Sequence, residues 1–152
     1  SAYLYYRANK ISMGPLWDFN LAAGNLQVYG MKKTHGWSVN KSYLWIKQCF
    51  WFRKLLDDPK FKKALIIRYQ KLRTHNKELS TTFIFDKIEK YKSLIHTEAY
   101  RNQNRWKNTK NIIESLIFNT TPRSSDFSSN VGILKQWLAK RLNWMDKNIH
   151  LI

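Results

Sequence analysis

Acidic side chains are scarce in this chain: ten Asp and Glu stand against 27 Lys and Arg, for a formal net charge of +17 over 152 residues. Cysteine is scarcer still. Cys49 stands alone, which excludes an internal disulfide framework and leaves the compartment open. It lies within the helical run Leu44 to Phe52, where a small buried apolar residue is the better reading than a nucleophile. The four His, at positions 35, 75, 96 and 150, are too dispersed to suggest zinc. No Gly-rich phosphate loop and no Ser/His/Asp pattern is present. No window approaches the roughly 18 consecutive apolar residues of a membrane span.

What is abundant points to a folded domain. Apolar residues make up 43% and aromatics 15%, with seven Trp, which argues against disorder despite the charge. A chain of this length builds one domain with a real core. The positive charge suits an anionic partner such as nucleic acid or a cell-envelope polymer. The basic residues, however, are scattered along the whole chain, which reads as a solvated exterior and speaks against nucleic acid.

Periodicity divides the chain into a short β segment and a long helical one. Residues 2–14 read as a β-hairpin, with Tyr3 to Tyr6 going out, Ala8-Asn9-Lys10 turning and Ile11 to Met13 returning. Gly14-Pro15 then ends the ladder, because proline cannot donate to it. Residues 20–40 read as an irregular loop. A first helix is expected over 41–56, bulky on most sides and hence buried. Asp58 can cap a second helix, with Pro59 at its first position and Phe61, Ala64, Leu65, Arg68 and Leu72 along one side. Ser80 or Thr81 can cap a third, whose stripe runs Ile84, Ile88, Tyr91, Ile95, Ala99, Asn102, Trp106. A short helix is expected at 110–118, a loop at 119–129, and a last helix with Val131, Leu134, Leu138, Leu142, Met145 and Ile149 in line. The fold class is therefore mainly α: a short amino-terminal β-hairpin and loop, then about five helices. Residues 1–152 form one domain, divided into 1–40 and a helical part, 41–152. The opening Ser1 to Tyr6 looks like neither a signal peptide nor a translation start, and a piece of a longer protein is expected.

One carboxylate stands out. Of the ten acids, only Asp18 lies in the first 56 residues, a stretch that holds eight Lys and Arg. It follows the hairpin, in Gly14-Pro15-Leu16-Trp17-Asp18-Phe19-Asn20. Hard Mg²⁺ prefers one or two protein carboxylates where it bridges nucleotide phosphates. In protein kinases the aspartate that does so follows a β-hairpin and precedes a phenylalanine that anchors the loop in the core. Asn20 offers a neutral oxygen two residues on. By local pattern alone Asp18 reads equally well as a turn cap or as the partner of a buried Arg. Trp37, Trp45 and Trp51 could stack an adenine, but helix-spaced Trp more often fill a core. Arg101, Arg105 and Trp106 could touch an acidic partner, although bracing the helices is the simpler role.

Gly14-Pro15-Leu16-Trp17-Asp18-Phe19-Asn20-Leu21-Ala22-Ala23-Gly24-Asn25 resembles the signature of the CotH kinase family, a Pro, a Trp-Asp-Phe-Asp stretch, then small residues ending in Gly. The resemblance continues through Leu55-Leu56-Asp57-Asp58-Pro59-Lys60-Phe61, through Arg101 to Trp106, and through Leu134 to Met145. It implies a protein-kinase-like fold, of which this chain is the carboxyl-terminal lobe, transferring phosphate from ATP to protein with Mg²⁺. It implies Asp18 as the metal ligand and Asn20 as its auxiliary, where the family usually carries a second Asp. It implies a protein substrate, a coat or surface protein, and a location at the spore coat, in secretion or at the cell surface. The family's catalytic Asp, its metal-binding Asn and its nucleotide lobe precede the hairpin, so no catalytic base is expected within this chain and the isolated chain is expected to be inactive. Two other readings stand beside this one: a basic helical binding module, and a structural coat component in which Asp18 is a relict.

Overall fold

A computed structural model of the chain describes residues 3–19, 22–25, 32–37, 50–106 and 126–152; the side chains of Phe50 and Trp51 lie outside that description. Strands β1 (Leu4–Arg7) and β2 (Lys10–Met13) form one antiparallel hairpin, in which Leu4 faces Met13, Tyr5 faces Ser12 and Tyr6 faces Ile11. The connection is the two-residue turn Ala8-Asn9, both with positive φ (50° and 58°), so Lys10 belongs to β2 rather than to the turn. Such a turn matches the right-handed twist of the two strands. Tyr6 Oη donates to Asn9 Oδ1 at 2.8 Å across it.

The helices are α1 (Phe50–Asp57), α2 (Pro59–Arg73), α3 (Thr81–Arg105) and α4 (Phe127–Asn148), with a 3-10 turn at Ile149–Leu151. The helical expectation for 41–49 and the short helix at 110–118 lie outside the described residues. From Phe52 to Asp57 the side chains of α1 are half-buried or exposed, not deeply buried as expected, because Arg53, Lys54 and Asp57 turn one side to solvent. Each long helix starts on a side-chain cap. Asp58 accepts from Lys60 N, Ser80 accepts from Phe83 N and Asp126 accepts from Ser129 N, each satisfying an amide that has no partner within the helix. The Ser129 amide, first among these bonds, holds the Asp126 carboxyl below the usual range. The cap at Asp126 also makes residues 127–129 helical where a loop is expected.

Helices α3 and α4 run antiparallel. Glu89 meets Lys135 at 2.9 Å, and at the other end Tyr100 Oη donates to Asp126 and Phe127 N donates to Gln103 Oε1. The core lies between α2, α3 and α4, where Tyr69, Leu142, Ile149 and the capping Ser80 are buried. Arg73 ties these elements together. Its Nε and Nη2 reach Asp146 Oδ1 and Oδ2 at 2.7 and 2.6 Å, while Nη1 donates to Leu79 O and to Thr81 Oγ1. Tyr69 Oη donates to the same Asp146 at 2.7 Å. Arg73 holds the Asp146 carboxyl below its ordinary value, and burial, reinforced by the bond to Asp146, pushes the Tyr69 hydroxyl well above its own.

Two stripes differ from expectation. On α2 the inward side runs through Phe61, Leu65, Tyr69 and Leu72, while Ala64 and Arg68 are exposed. Tyr69 displaces them because Asp146 satisfies its hydroxyl. On α3, Ile84 and Ile88 are half-buried, but Tyr91, Ile95, Asn102 and Trp106 are exposed; Phe85, Ile88, Ala99 and Gln103 lie on the side toward α4. The α4 stripe agrees throughout, from Val131 to Ile149.

Candidate metal-binding turn and its anchor on α4

The hairpin hands the chain directly to the turn that carries Asp18. Gly14 N–H adds one bond past the ladder, to Tyr3 O at 3.0 Å, and Pro15 has no N–H with which to continue it. Residues 14–19 have no regular secondary structure. Asp18 adopts φ 61°, in the left-handed region that Asp tolerates better than most residues. Its side chain is exposed, so the carboxylate is not sunk in a packed core. Phe19 does not anchor the turn in the manner expected: the residue is 58% exposed, as Trp17 is at 62% and Leu16 at 87%. Asn20 lies outside the described residues.

Contact with the helical part is made instead by the loop that follows. Ala22 N–H donates to Phe19 O at 2.9 Å and Asn25 N–H donates to Ala22 O at 3.2 Å, which ties Phe19 to the residues around Gly24. Gly24 has φ 82°, and a Cβ there would overlap the indole of Trp137 on α4. Glycine is required twice over, by conformation and by space. Trp137 Nε1 donates to Lys32 O at 2.7 Å. One turn along α4, Arg141 Nη1 donates to Gly36 O at 2.8 Å and to Thr34 O at 3.4 Å. Its guanidinium lies over Trp37 and Trp144, whose rings meet edge-on at 4.9 Å. Burial lowers the Arg141 pKa. Helix α4 thus holds Gly24 and the segment 32–37 through Trp137, Arg141 and Trp144. The sequence alone assigns no role to Arg141; the signal for the Gly24–Trp137 contact is that each residue sits in a block resembling the family.

The other candidates separate from this site. Trp37 is engaged by Trp144 and Arg141, which makes it part of the packing. Trp45 and the Trp51 side chain lie outside the described residues. His35 is exposed. Arg101 pairs with Glu98 one turn back, and Arg105 lies over Trp106, all on the exposed side of α3; bracing at that end comes from their neighbours Tyr100 and Gln103. Among the described residues no three His, Cys, Asp or Glu cluster as a cation cage. A single exposed carboxylate is the donor set that Mg²⁺ uses when phosphates and water complete its shell, so Asp18 fits that ion.

The family model described as CotH kinase protein matches residues 1–145. The chain belongs to the CotH kinase family. No curated protein and no solved structure matches it. The family match covers both the Asp18 turn and the α4 residues that contact Gly24 and the segment 32–37, and among the described residues no helix is long and apolar enough to cross a membrane.

Proposed function

We propose that this CotH-family chain is the metal-aspartate and helical part of an enzyme that transfers phosphate from ATP to a protein, with coat or surface proteins as its substrates and the spore coat or cell surface as its location. The observation that carries the reading is the exposed carboxylate of Asp18, presented immediately past an antiparallel hairpin within the family's Trp-Asp-Phe block. Asp18 holds the cation, and Asn20 is proposed on sequence grounds as a neutral second oxygen. When bound, Mg²⁺ neutralises charge on the phosphate oxygens. The chain's own contribution is to orient that carboxylate. The left-handed backbone at Asp18 supports a working role, since unusual conformations of this kind concentrate at functional turns. The catalytic base and the nucleotide lobe are assigned to other parts of the complete protein.

The experiment is Asp18→Ala in the complete parent protein. Phosphoryl transfer is expected to disappear while the fold persists, and surviving transfer would remove Asp18 from the metal site. The 152-residue chain alone, given ATP and Mg²⁺, is expected to transfer no phosphate.

The second reading, a polyanion-binding module, draws on α2. Lys60, Lys63, Arg68 and Lys71 are all exposed along it, and none is ion-paired with a described residue. Four phosphate contacts would give a slope of roughly −3 to −4 in log affinity against log salt. A flat salt response would exclude this reading.

A further inference from the structure

We propose that Trp137 and Arg141 of α4 are positioning residues for the Asp18 turn: from the far end of the chain they fix how its carboxylate is presented. Three observations combine. The turn's own apolar residues Leu16, Trp17 and Phe19 are exposed, so their packing does not hold it. The hairpin on its amino side is exposed along nearly its whole length, and a lone two-stranded ribbon is too weak to set an orientation by itself. On the carboxyl side, by contrast, Ala22 N–H is bonded to Phe19 O and Asn25 N–H to Ala22 O, and Gly24 between them lies against the Trp137 indole with no room for a Cβ. Trp137 and Arg141 then grip the following segment at Lys32, Thr34 and Gly36. The helical core therefore sets the position of Asp18 through Gly24.

Neither residue is catalytic, since each acts through backbone that leads to Asp18. The part of the inference that concerns the cation rests on Asp18 being its ligand; the part that concerns the turn does not. The Gly24 contact also makes a specific demand on α4. An aromatic plane at position 137 closes the space over Gly24, and its N–H ties the same ring to Lys32. Phenylalanine keeps the plane and loses the tie, so Trp137→Phe separates the two contributions.

The experiment uses the 152-residue chain as wild type and as Trp137→Ala, Trp137→Phe, Arg141→Ala, Gly24→Ala and Asp18→Ala. Amide exchange by NMR reads the Ala22 and Asn25 N–H groups, with amides of α2 and α3 as the control for an intact fold. Titration with Mn²⁺ as the probe reads paramagnetic broadening at Trp17 to Phe19. Trp137→Ala, Arg141→Ala and Gly24→Ala are expected to speed exchange at Ala22 and Asn25 by about tenfold, the scale of one lost contact of ordinary strength, and to weaken Mn²⁺ binding by about as much. Trp137→Phe is expected to fall between wild type and Trp137→Ala. Asp18→Ala is expected to lose Mn²⁺ while keeping the protection at Ala22 and Asn25. Unchanged exchange at those two amides in Trp137→Ala and Arg141→Ala would overturn the inference. Should Trp137→Ala lose its α2 and α3 protection, Trp137→Phe decides in its place. Wild-type chain without Asp18-dependent Mn²⁺ broadening would sink the metal reading alone, and the exchange results would still decide the positioning claim.

Discussion

Asp146→Ala strikes the junction at which α2, α3 and α4 meet. The substitution removes the acceptor for Arg73 Nε, Arg73 Nη2 and Tyr69 Oη, three bonds of 2.6–2.7 Å. Breaking a fully buried pair costs roughly 3–5 kcal/mol and breaking an exposed one roughly 0–1. The Arg73 side chain is 16% exposed and that of Asp146 is 38%, so solvent screens the acid and leaves the arginine partly stranded. An intermediate loss of about 2 kcal/mol follows. With a urea slope near 2 kcal/mol per molar, the unfolding midpoint should fall by about 1 M with the slope unchanged. Tyr69→Phe and Arg73→Ala should each be smaller when introduced on top of Asp146→Ala than in the wild type, because all act on one network. A midpoint shift below about 0.2 M, or strict additivity, would mean that the network is screened surface chemistry and does not hold the helices together.

Three further expectations follow from the same structure. The Asp146 pKa is depressed in the folded protein, chiefly by Arg73, so its contribution is complete above the ordinary aspartate value and fades as pH falls through the folded one; urea midpoints for wild type and Asp146→Asn should converge as pH falls below the ordinary aspartate value, and parallel curves would contradict the assignment. Ser80→Ala removes a buried cap from α3 and should cost about 1 kcal/mol, read as a fall of about 2–4 °C in Tm, whereas an unchanged Tm would show that the cap is dispensable. Ala8→Asn supplies a residue that the positive φ at position 8 favours and keeps the Asn9 acceptor for Tyr6; amides of the hairpin should exchange about twofold more slowly, and no gain would contradict the turn geometry.

The parts of the fold that were legible in the sequence are those with local causes. Asp58 and Pro59 open α2 through an amide two residues away, the hairpin pairs the two expected runs although its turn is one residue shorter than the sequence suggested, and the α4 stripe repeats at helical spacing over its whole length. What escaped has partners distant in sequence. The inward side of α2 centres on Tyr69 because Asp146, 77 residues on, takes its hydroxyl, and a polar tip is no advertisement for burial in a periodicity count. On α3 the apolar spacing suggested Tyr91, Ile95 and Trp106, yet the side toward α4 includes Gln103, chosen for its bond to Phe127 N. Position 18 was conspicuous as the one acid in a basic stretch. Its mooring was not, since a glycine becomes informative only when the ring above it is visible.

Helix α4 carries two stripes about 100° apart, one through Leu134, Leu138, Leu142 and Met145 toward the core and one through Trp137, Arg141 and Trp144 toward the loop. It works as a shaft keyed at two angles, and the keys share one register. A single residue inserted after Leu138 would swing Arg141 into the place of Leu142, drawing a cation inward and slackening the loop in the same stroke. Changes of length within this helix are therefore punished twice, and insertions or deletions among relatives are expected to fall outside Leu134 to Ile149.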